Sequence, residues 1–162
     1  MRVSVIGGSS IDDETYARAR EVGRLLGTRG HTVVCGGLGG TMEAVCKGAH
    51  EAGGPASGGA SSEADAETIG ILPTERPGDA NEWVTTPIAT GMGNARNVMV
   101  VLNGDAAIAI DGAAGTLSEL GHALDFGRPI AGLDTHDIDL KGFEAVETPK
   151  DAVEYVEAAV SE

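Results

Sequence analysis

The chain has 162 residues, of which 41% are apolar, 3% are aromatic and 25 are glycines. Its formal net charge is −14 at pH 7, and its only lysines are Lys47, Lys141 and Lys150. The length predicts a single domain over residues 1–162, with a core of aliphatic side chains. An acidic surface repels nucleic acid and anionic membranes, so neither is an expected partner. The acids are dispersed, which is typical of a solvated, halophilic-type surface.

The two cysteines, Cys35 and Cys46, have no CxxC spacing and are predicted to be buried reduced thiols. Glu119 and His122 form one Glu-x-x-His pair without a second, so no metal site is expected. The chain begins with "MRVSVIGG", which favours a strand over a signal peptide. No apolar stretch approaches the roughly 18 residues of a membrane span, and the predicted location is cytoplasmic.

Strands and helices alternate from the start of the chain. Predicted strands cover residues 2–6, 31–35, 68–72, 84–88, 106–110 and 129–133, and predicted helices run from about 12 to 30, 41–52, within 90–102, 116–126 and 150–160. This order favours an α/β fold, a three-layer sandwich of a mostly parallel sheet with helices on both faces. Pro87 indicates an edge strand. Residues 53–66, rich in Gly, Ser and acids, are predicted to form a mobile surface loop.

Three glycine-rich turns follow predicted strands. They are "GGSS" at residues 7–10, "GGLGG" at residues 36–40 and "GAAGT" at residues 112–116. Because ligands of open α/β sheets bind beyond the carboxyl ends of the strands, the three turns together predict a site for a phosphate-bearing ligand. No GxxxxGK[ST] is present, and Met42 and Arg96 stand where a GxGxxG motif would need its third glycine. A P-loop NTPase and an ordinary dinucleotide fold are therefore not expected.

Thr116 and Glu119 allow two interpretations. In the first, Thr-x-x-Glu is a capping box that begins a helix. In the second, the glycine turn that ends at Thr116 binds a phosphate, and Glu119 places an acid beside it. Arg96, in "GNARN", is either a solvated helix arginine or a guanidinium that binds a phosphate or carboxylate at the same edge. The apolar residues 98–102 that follow it predict a buried helix or a dimer face.

Four segments carry a resemblance to a known family: "GGLGGTMEAVCKGAHEAGG", "IGILP", "TGMGNARNVMVVLNGDAAIAI" and "GAAGTLSELGHAL". Together they resemble the LOG-like superfamily (SLOG), formerly described as lysine decarboxylase-like, over residues 3 to about 133. The sequence is most similar to the small single-domain branch that includes molybdenum cofactor carrier proteins. The resemblance implies a Rossmann-like fold and a homodimer or higher homo-oligomer.

LOG enzymes carry the signature Pro-Gly-Gly-x-Gly-Thr-x-x-Glu and an arginine on the preceding helix. Gly112, Gly115, Thr116 and Glu119 match this signature by position, and Arg96 matches the arginine. The chain departs from the signature at two positions, where Asp111 replaces the proline and Ala113 replaces the second glycine.

The resemblance leaves two functions open. One is a carrier or binding protein for a phosphate-bearing nucleotide or pterin, in which a nucleotide or the molybdenum cofactor would be bound as a ligand and no cofactor is required. The other is a nucleoside 5′-monophosphate phosphoribohydrolase, not a lysine decarboxylase, in which Glu119 and Arg96 would be catalytic. Either way the ligand-binding residues are expected in the glycine turns and beside them: Gly8, Ser9, Gly36, Gly37, Gly39, Met42, Gly91, Arg96, Gly112, Gly115, Thr116 and Glu119.

Overall fold

The computed structural model describes residues 1–53 and 66–161, and in these ranges the chain forms seven strands and five α-helices. The strands are β1 (Arg2–Gly7), β2 (Thr32–Cys35), β3 (Thr68–Leu72), β4 (Thr86–Ala89), β5 (Ala106–Ile110), β6 (Ile130–Leu133) and β7 (Phe143–Val146). The helices are α1 (Asp13–Thr28), α2 (Thr41–Gly53), α3 (Asn97–Leu102), α4 (Ala114–Asp125) and α5 (Pro149–Ser161). Two short 3-10 turns cover Pro77–Asp79 and Gly93–Arg96.

The strands form one sheet in the order β4-β3-β2-β1-β5-β6-β7, and every neighbouring pair is parallel. The predicted Rossmann-like α/β fold is confirmed, and β4, which contains Pro87, is an edge strand as expected. The prediction missed β7, the opposite edge. Its central residues, Glu144 and Ala145, are exposed, so this strand has no apolar run for a sequence pattern to show.

Successive side chains along each strand point to opposite faces of the sheet, so the core is divided into two parts, each covered by one layer of helices. On β1, Val3 and Val5 pack with the layer formed by α1, α2 and α5, whereas Ile6 packs with the layer formed by α3 and α4. Ser4 also faces the second layer, and its hydroxyl donates a 2.8 Å hydrogen bond to the Val100 carbonyl. The sheet is therefore covered on both faces, which explains its strands of nearly continuous apolar residues.

Helices α1 and α2 pack with backbone against backbone. A methyl group built at Gly23 would lie 2.0 Å from the Val45 carbonyl oxygen, and one built at Gly48 would lie 1.9 Å from the Arg20 carbonyl oxygen. Each glycine thus admits a carbonyl of the other helix. This close approach fixes the position of α2, whose first turn lies beside the exits of β1 and β2.

The signals that predicted the bounds of α1 are confirmed. The Asp12 carboxylate accepts a 2.8 Å hydrogen bond from the Thr15 backbone N–H, and Gly30 takes a left-handed φ of 73° after the last turn. The loop predicted at residues 53–66 lies, apart from its two end residues, outside the described residues. Of the helices in the described ranges, none combines the length and apolar character needed to cross a membrane. The predicted oligomer stays a prediction.

Replacing Gly48 by alanine tests the α1–α2 contact. We expect Gly48→Ala to lower the free energy of unfolding by about 1–3 kcal/mol, because the methyl group must displace the Arg20 carbonyl. Gly121→Ala is the matched control, since a methyl group on this glycine of α4 would meet nothing within 4 Å. That control should raise the free energy of unfolding by about 0.5–1 kcal/mol through helix propensity. Urea denaturation measures both, and equal effects would contradict the close approach.

Candidate functional site

The strand order reverses between β1 and β5. The chain passes from β1 outward through β2, β3 and β4, then returns to place β5 on the other side of β1. At such a switch point the connections leave in opposite directions and open a crevice at the carboxyl ends of the strands. The crevice of this sheet is framed by the residues that follow β1, β2, β3 and β5.

A cavity of about 240 Å³ occupies this crevice. Its walls come from strand ends, from the three glycine turns and from the segment before α3. The lining residues are Val5, Ile6, Gly7, Gly8, Ser9, Gly36, Leu38, Met42, Pro73, Asn94, Arg96, Asn97, Ala113, Gly115, Thr116 and Glu119. Elements distant in the sequence thus contribute to one concave surface.

The wall at the exit of β1 is backbone packed on backbone. A methyl group at Gly7 would lie 2.2 Å from the Ile110 carbonyl oxygen, so only glycine lets β1 and β5 leave the sheet side by side. The Gly8 carbonyl accepts a 2.9 Å hydrogen bond from the backbone N–H of Thr41, the first residue of α2. The Thr41 hydroxyl is fully buried beside Gly7 and finds no hydrogen-bond partner among the described residues.

Helix α4 begins at the cavity. Its N-cap residue is Ala113, whose side chain cannot accept a hydrogen bond, so the N–H groups of the first turn have no side-chain cap. The capping box predicted from Thr116 and Glu119 is therefore wrong. The helix begins two residues before Thr116, which places Thr116 inside the first turn and Glu119 in the second. Both side chains are buried, and both line the cavity.

Gly112 lets the chain turn from β5 into α4. Its φ is 115°, and a methyl group there would lie 2.3 Å from the Thr116 hydroxyl oxygen. Asp111, which precedes it, also has a left-handed φ of 52°, and its carbonyl accepts a 2.6 Å hydrogen bond from the Thr135 hydroxyl. Two consecutive left-handed residues thus direct the start of α4 towards the cavity.

Arg96 ends the 3-10 turn before α3 and is 6% exposed. One terminal nitrogen, Nη2, donates a 3.3 Å hydrogen bond to the Gly36 carbonyl, and Nη1 donates to Asn97 Oδ1. Its Nε is buried and has no partner among the described residues. Burial lowers the pKa of Arg96 from its ordinary value, and the nearby Glu119 opposes that shift. The solvated helix arginine considered from the sequence is therefore excluded.

Glu119 lies in α4 and is 7% exposed. Burial raises the pKa of its carboxyl to about 7, although the positive charge of Arg96 acts in the opposite direction. Desolvation dominates because the two groups do not meet: among the described residues, no ion pair within 4.0 Å involves either of them. Nor does the described part of the chain donate a hydrogen bond to the Glu119 carboxyl.

The structure places most of the predicted ligand-binding residues in the cavity wall. Eight of them line it, namely Gly8, Ser9, Gly36, Met42, Arg96, Gly115, Thr116 and Glu119, whereas Gly37, Gly39, Gly91 and Gly112 do not. Gly37 packs against Leu72 and Gly70 behind the wall, and Gly112 packs against Thr116. Gly91 belongs to a turn in which its N–H donates to the Thr74 carbonyl, away from the cavity. Gly37 and Gly112 therefore shape the turns that carry lining residues.

Sequence reasoning missed several lining residues. Asn94 and Asn97 flank Arg96 in "GNARN", and this density of amides beside a buried arginine was the available signal. Leu38 and Pro73 come from loops, where only the folded chain shows which side chains face the crevice. In residues 1–53 and 66–161, no group of three or more His, Cys, Asp or Glu side chains is arranged to hold a metal ion.

Comparison with known proteins finds likeness over nearly the whole chain. A protein of unassigned function from Archaeoglobus fulgidus is 39% identical over 155 residues, which cover 96% of this chain and 93% of that protein. The solved molybdenum cofactor binding protein from Rippkaea orientalis is 27% identical with a TM-score of 0.85, and 98% of this chain matches 96% of that one. The molybdenum cofactor carrier protein from Chlamydomonas reinhardtii is 26% identical with a TM-score of 0.80, and 99% of this chain matches 97% of that one.

The family model that matches is that of the SLOG cluster4 family, and it covers residues 1–160. The match includes the glycine turns, Arg96 and the start of α4, so it spans every element of the cavity wall. The resemblance inferred from the four sequence segments is confirmed at the level of the superfamily. The chain belongs to the SLOG cluster4 family.

Proposed function

We propose that this chain binds a phosphate-bearing small molecule of nucleotide or pterin type in the cavity and carries it without cleaving it. The observation that supports this most is a pair of buried ionisable side chains in the cavity wall that are not fully paired within the described residues: Arg96, whose Nε has no partner, and Glu119, whose carboxyl accepts no hydrogen bond. Each such group costs roughly 1–3 kcal/mol when it is desolvated and unpaired. A bound ligand would supply the missing partners, so the cost is tolerable in a protein that works with its cavity filled.

The phosphate belongs at the start of α4. The first-turn N–H groups there lack a cap, the helix adds a partial positive charge, and the Thr116 hydroxyl can donate as well. The ring system belongs deeper, between Arg96 and Glu119. There the guanidinium offers donors and the carboxyl accepts hydrogen bonds, while Met42 and Leu38 supply apolar contact.

The molybdenum cofactor is the first ligand to test. It carries a pterin and a phosphate, which match the two ends of the cavity, and two structural relatives that cover nearly the whole chain are named for binding it or carrying it. The protein should be purified without oxygen from a host that makes this cofactor, and the co-purified molecule identified by mass spectrometry and molybdenum analysis. Protein that carries neither a pterin nor a nucleotide would contradict the proposal.

A second function is favoured by one observation. The Glu119 carboxyl has a pKa of about 7 and is buried in the cavity wall near a buried arginine, which suits a group that exchanges a proton or stabilises positive charge. This is the arrangement expected of the phosphoribohydrolase. The departures from its signature, Asp111 and Ala113, change the phosphate turn, which is why we place the carrier first. Release of a free base from nucleoside monophosphates with turnover would favour the hydrolase.

A methyl group placed in the cavity tests the phosphate position. At Gly115 it would meet only Asn97 Nδ2, at 3.9 Å, so the fold accepts it. We expect Gly115→Ala to keep or raise the free energy of unfolding, as Gly121→Ala does, because both positions lie in α4. Sulfate, a phosphate analogue, should bind Gly115→Ala about tenfold more weakly in calorimetry, as expected when hydrogen bonds to an anion are lost. Equal affinities in the two variants would exclude anion binding at this turn.

The pH dependence of sulfate binding tests Glu119. Because its pKa is raised from 4.5 to about 7, the folded protein keeps this carboxyl protonated at mildly acidic pH and charges it above pH 7. Anion affinity should therefore fall as the pH rises from about 6 to 8, by at most tenfold per pH unit, with proton uptake on binding. Sulfate itself does not titrate in this range. The profile should be flat in Glu119→Gln, and a flat wild-type profile would show that Glu119 does not face the anion.

The hydrolase alternative makes a different prediction for the same variant. If Glu119 stabilises charge that builds on the sugar, Glu119→Gln should lower turnover of nucleoside monophosphates at least about a hundredfold and leave their binding nearly unchanged. Initial rates of base release, measured beside calorimetric affinities, separate these effects. Unchanged turnover in Glu119→Gln would eliminate this mechanism even if the wild-type protein releases base.

A further inference from the structure

Two thiols with no part in the proposed function lie behind the cavity wall. Cys35 ends β2 and Cys46 lies in α2, and both side chains are 0% exposed. Their sulfur atoms are 3.5 Å apart, and both thiols are free. The sequence prediction of buried reduced thiols is thus confirmed, but their contact was not predicted, since eleven residues separate them across two elements.

The thiol pair connects directly to the site. Cys35 Sγ accepts a 3.4 Å hydrogen bond from the Gly37 N–H, and the Gly36 carbonyl between them accepts the 3.3 Å hydrogen bond from Arg96. Gly36 has no free space on that side, because a methyl group there would lie 2.5 Å from Arg96 Nη2 and 2.7 Å from Met42 Sδ. Any movement of Cys35 therefore reaches the guanidinium of the site.

The surroundings shift the pKa values of the two thiols in opposite directions. The hydrogen bond between the two thiols lowers the pKa of the Cys35 thiol, burial opposes this shift, and the Gly37 N–H and the charge of Arg96 lower the pKa further. The same contact, together with burial, raises the pKa of the Cys46 thiol well above its ordinary value. Because Cys35 Sγ accepts the Gly37 N–H, which stabilises a thiolate there, we assign Cys35 as the nucleophile and Cys46 as the thiol that resolves the oxidised product.

We propose that Cys35 and Cys46 form a redox-active dithiol, and that oxidising it to a disulfide weakens anion binding in the cavity. A two-electron thiol oxidant is required, such as hydrogen peroxide. The Cys35 thiolate attacks one peroxide oxygen, giving a sulfenic acid as hydroxide leaves. The Cys46 sulfur then displaces the sulfenic oxygen. In total two S–H bonds and one O–O bond break, one S–S bond forms, and the peroxide leaves as two waters.

The geometry explains how the bond would act on the site. A disulfide holds its sulfurs about 2.05 Å apart, so the pair must approach by about 1.5 Å. Helix α2 is held by its glycine contacts with α1, and most of the adjustment therefore falls on Cys35. Its sulfur turns away from the Gly37 N–H, and the Gly36 carbonyl that holds Arg96 shifts with it. The effect on ligand affinity rests on the proposed function, whereas the formation of the disulfide does not.

Mass spectrometry detects the disulfide without any ligand. Trypsin releases residues 30–47 as one peptide that contains both cysteines. The folded protein should be treated with diamide, which takes two hydrogens from a dithiol and spares the Met42 thioether. We expect this peptide to lose the mass of two hydrogen atoms and to resist alkylation until dithiothreitol is added. Further cleavage after Glu43 should leave its two halves joined. A peptide that stays fully reduced would overturn the proposal.

Sulfate calorimetry and NMR test the coupling. Oxidation should weaken sulfate binding about tenfold, because the displaced charge of Arg96 attracts the anion at the start of α4 less strongly, and dithiothreitol should restore the affinity. The Arg96 Nε–H resonance should shift on oxidation even without sulfate. Cys46→Ala keeps Cys35 and its Gly37 hydrogen bond but cannot form the bridge, so diamide should change neither readout there.

The outcomes separate this proposal from the proposed function. A disulfide that leaves both the Arg96 resonance and the sulfate affinity unchanged would overturn the coupling. If the reduced protein binds no sulfate, the proposed anion site is wrong. The peptide mass then still tests whether the disulfide forms, and the Arg96 resonance still tests whether the disulfide affects Arg96. A response of Cys46→Ala equal to that of the wild type would assign the effect to another group and overturn the proposal.

Discussion

A guanidinium that is almost fully buried, with no carboxylate within 4.0 Å in the part of the chain that the structure describes, constrains this site more than any other group. Arg96 is held by the carbonyl of Gly36 and the amide of Asn97, both neutral, so its charge is positioned but not neutralised. Removing such a charge from water is costly, and a hydrophobic core offers nothing in return. The surrounding fold must therefore be stable enough to hold the charge available for a ligand.

The fold meets this constraint through rigid supports. Gly36 follows β2, an interior strand, and Arg96 belongs to the segment between the edge strand β4 and α3. Their hydrogen bond therefore joins two segments that are 60 residues apart in the sequence. Behind Gly36, Gly37 packs against β3. Helix α2 is held in place by its backbone contact with α1. The Glu119 carboxyl completes the arrangement from α4. Its raised pKa and the unneutralised arginine have one common cause, the absence of direct pairing between them.

Much of this arrangement could be predicted from the sequence, for physical reasons that differ between elements. Buried parallel strands appear in the sequence as apolar runs that end in glycine turns. Both the sheet and the location of the site at the carboxyl ends of its strands could therefore be predicted. Strand β7 was not, because an edge strand with exposed Glu144 and Ala145 buries too little to leave a pattern. The Thr116–Glu119 spacing suggested a capping box, but the left-handed residues before α4 begin the helix earlier. Pairing across elements, as between the two thiols, depends on tertiary contacts that spacing does not encode.

The close backbone packing at the exit of β1 also limits how this cavity can evolve. A Cβ atom at Gly7 would lie 2.2 Å from the Ile110 carbonyl oxygen, and one at Gly40 would lie 2.4 Å from the Gly8 carbonyl oxygen. Neither position can therefore accept a side chain that would contact a different ligand. Leu38 and Pro73 lie on loops and Asn94 lies in the 3-10 turn Gly93–Arg96, where side chains can change without moving a strand. Divergence in the lining of this cavity should therefore be concentrated on the rim, while the floor formed by the packed backbone should change little. A designer who wants a new ligand for this scaffold has the same short set of positions to vary.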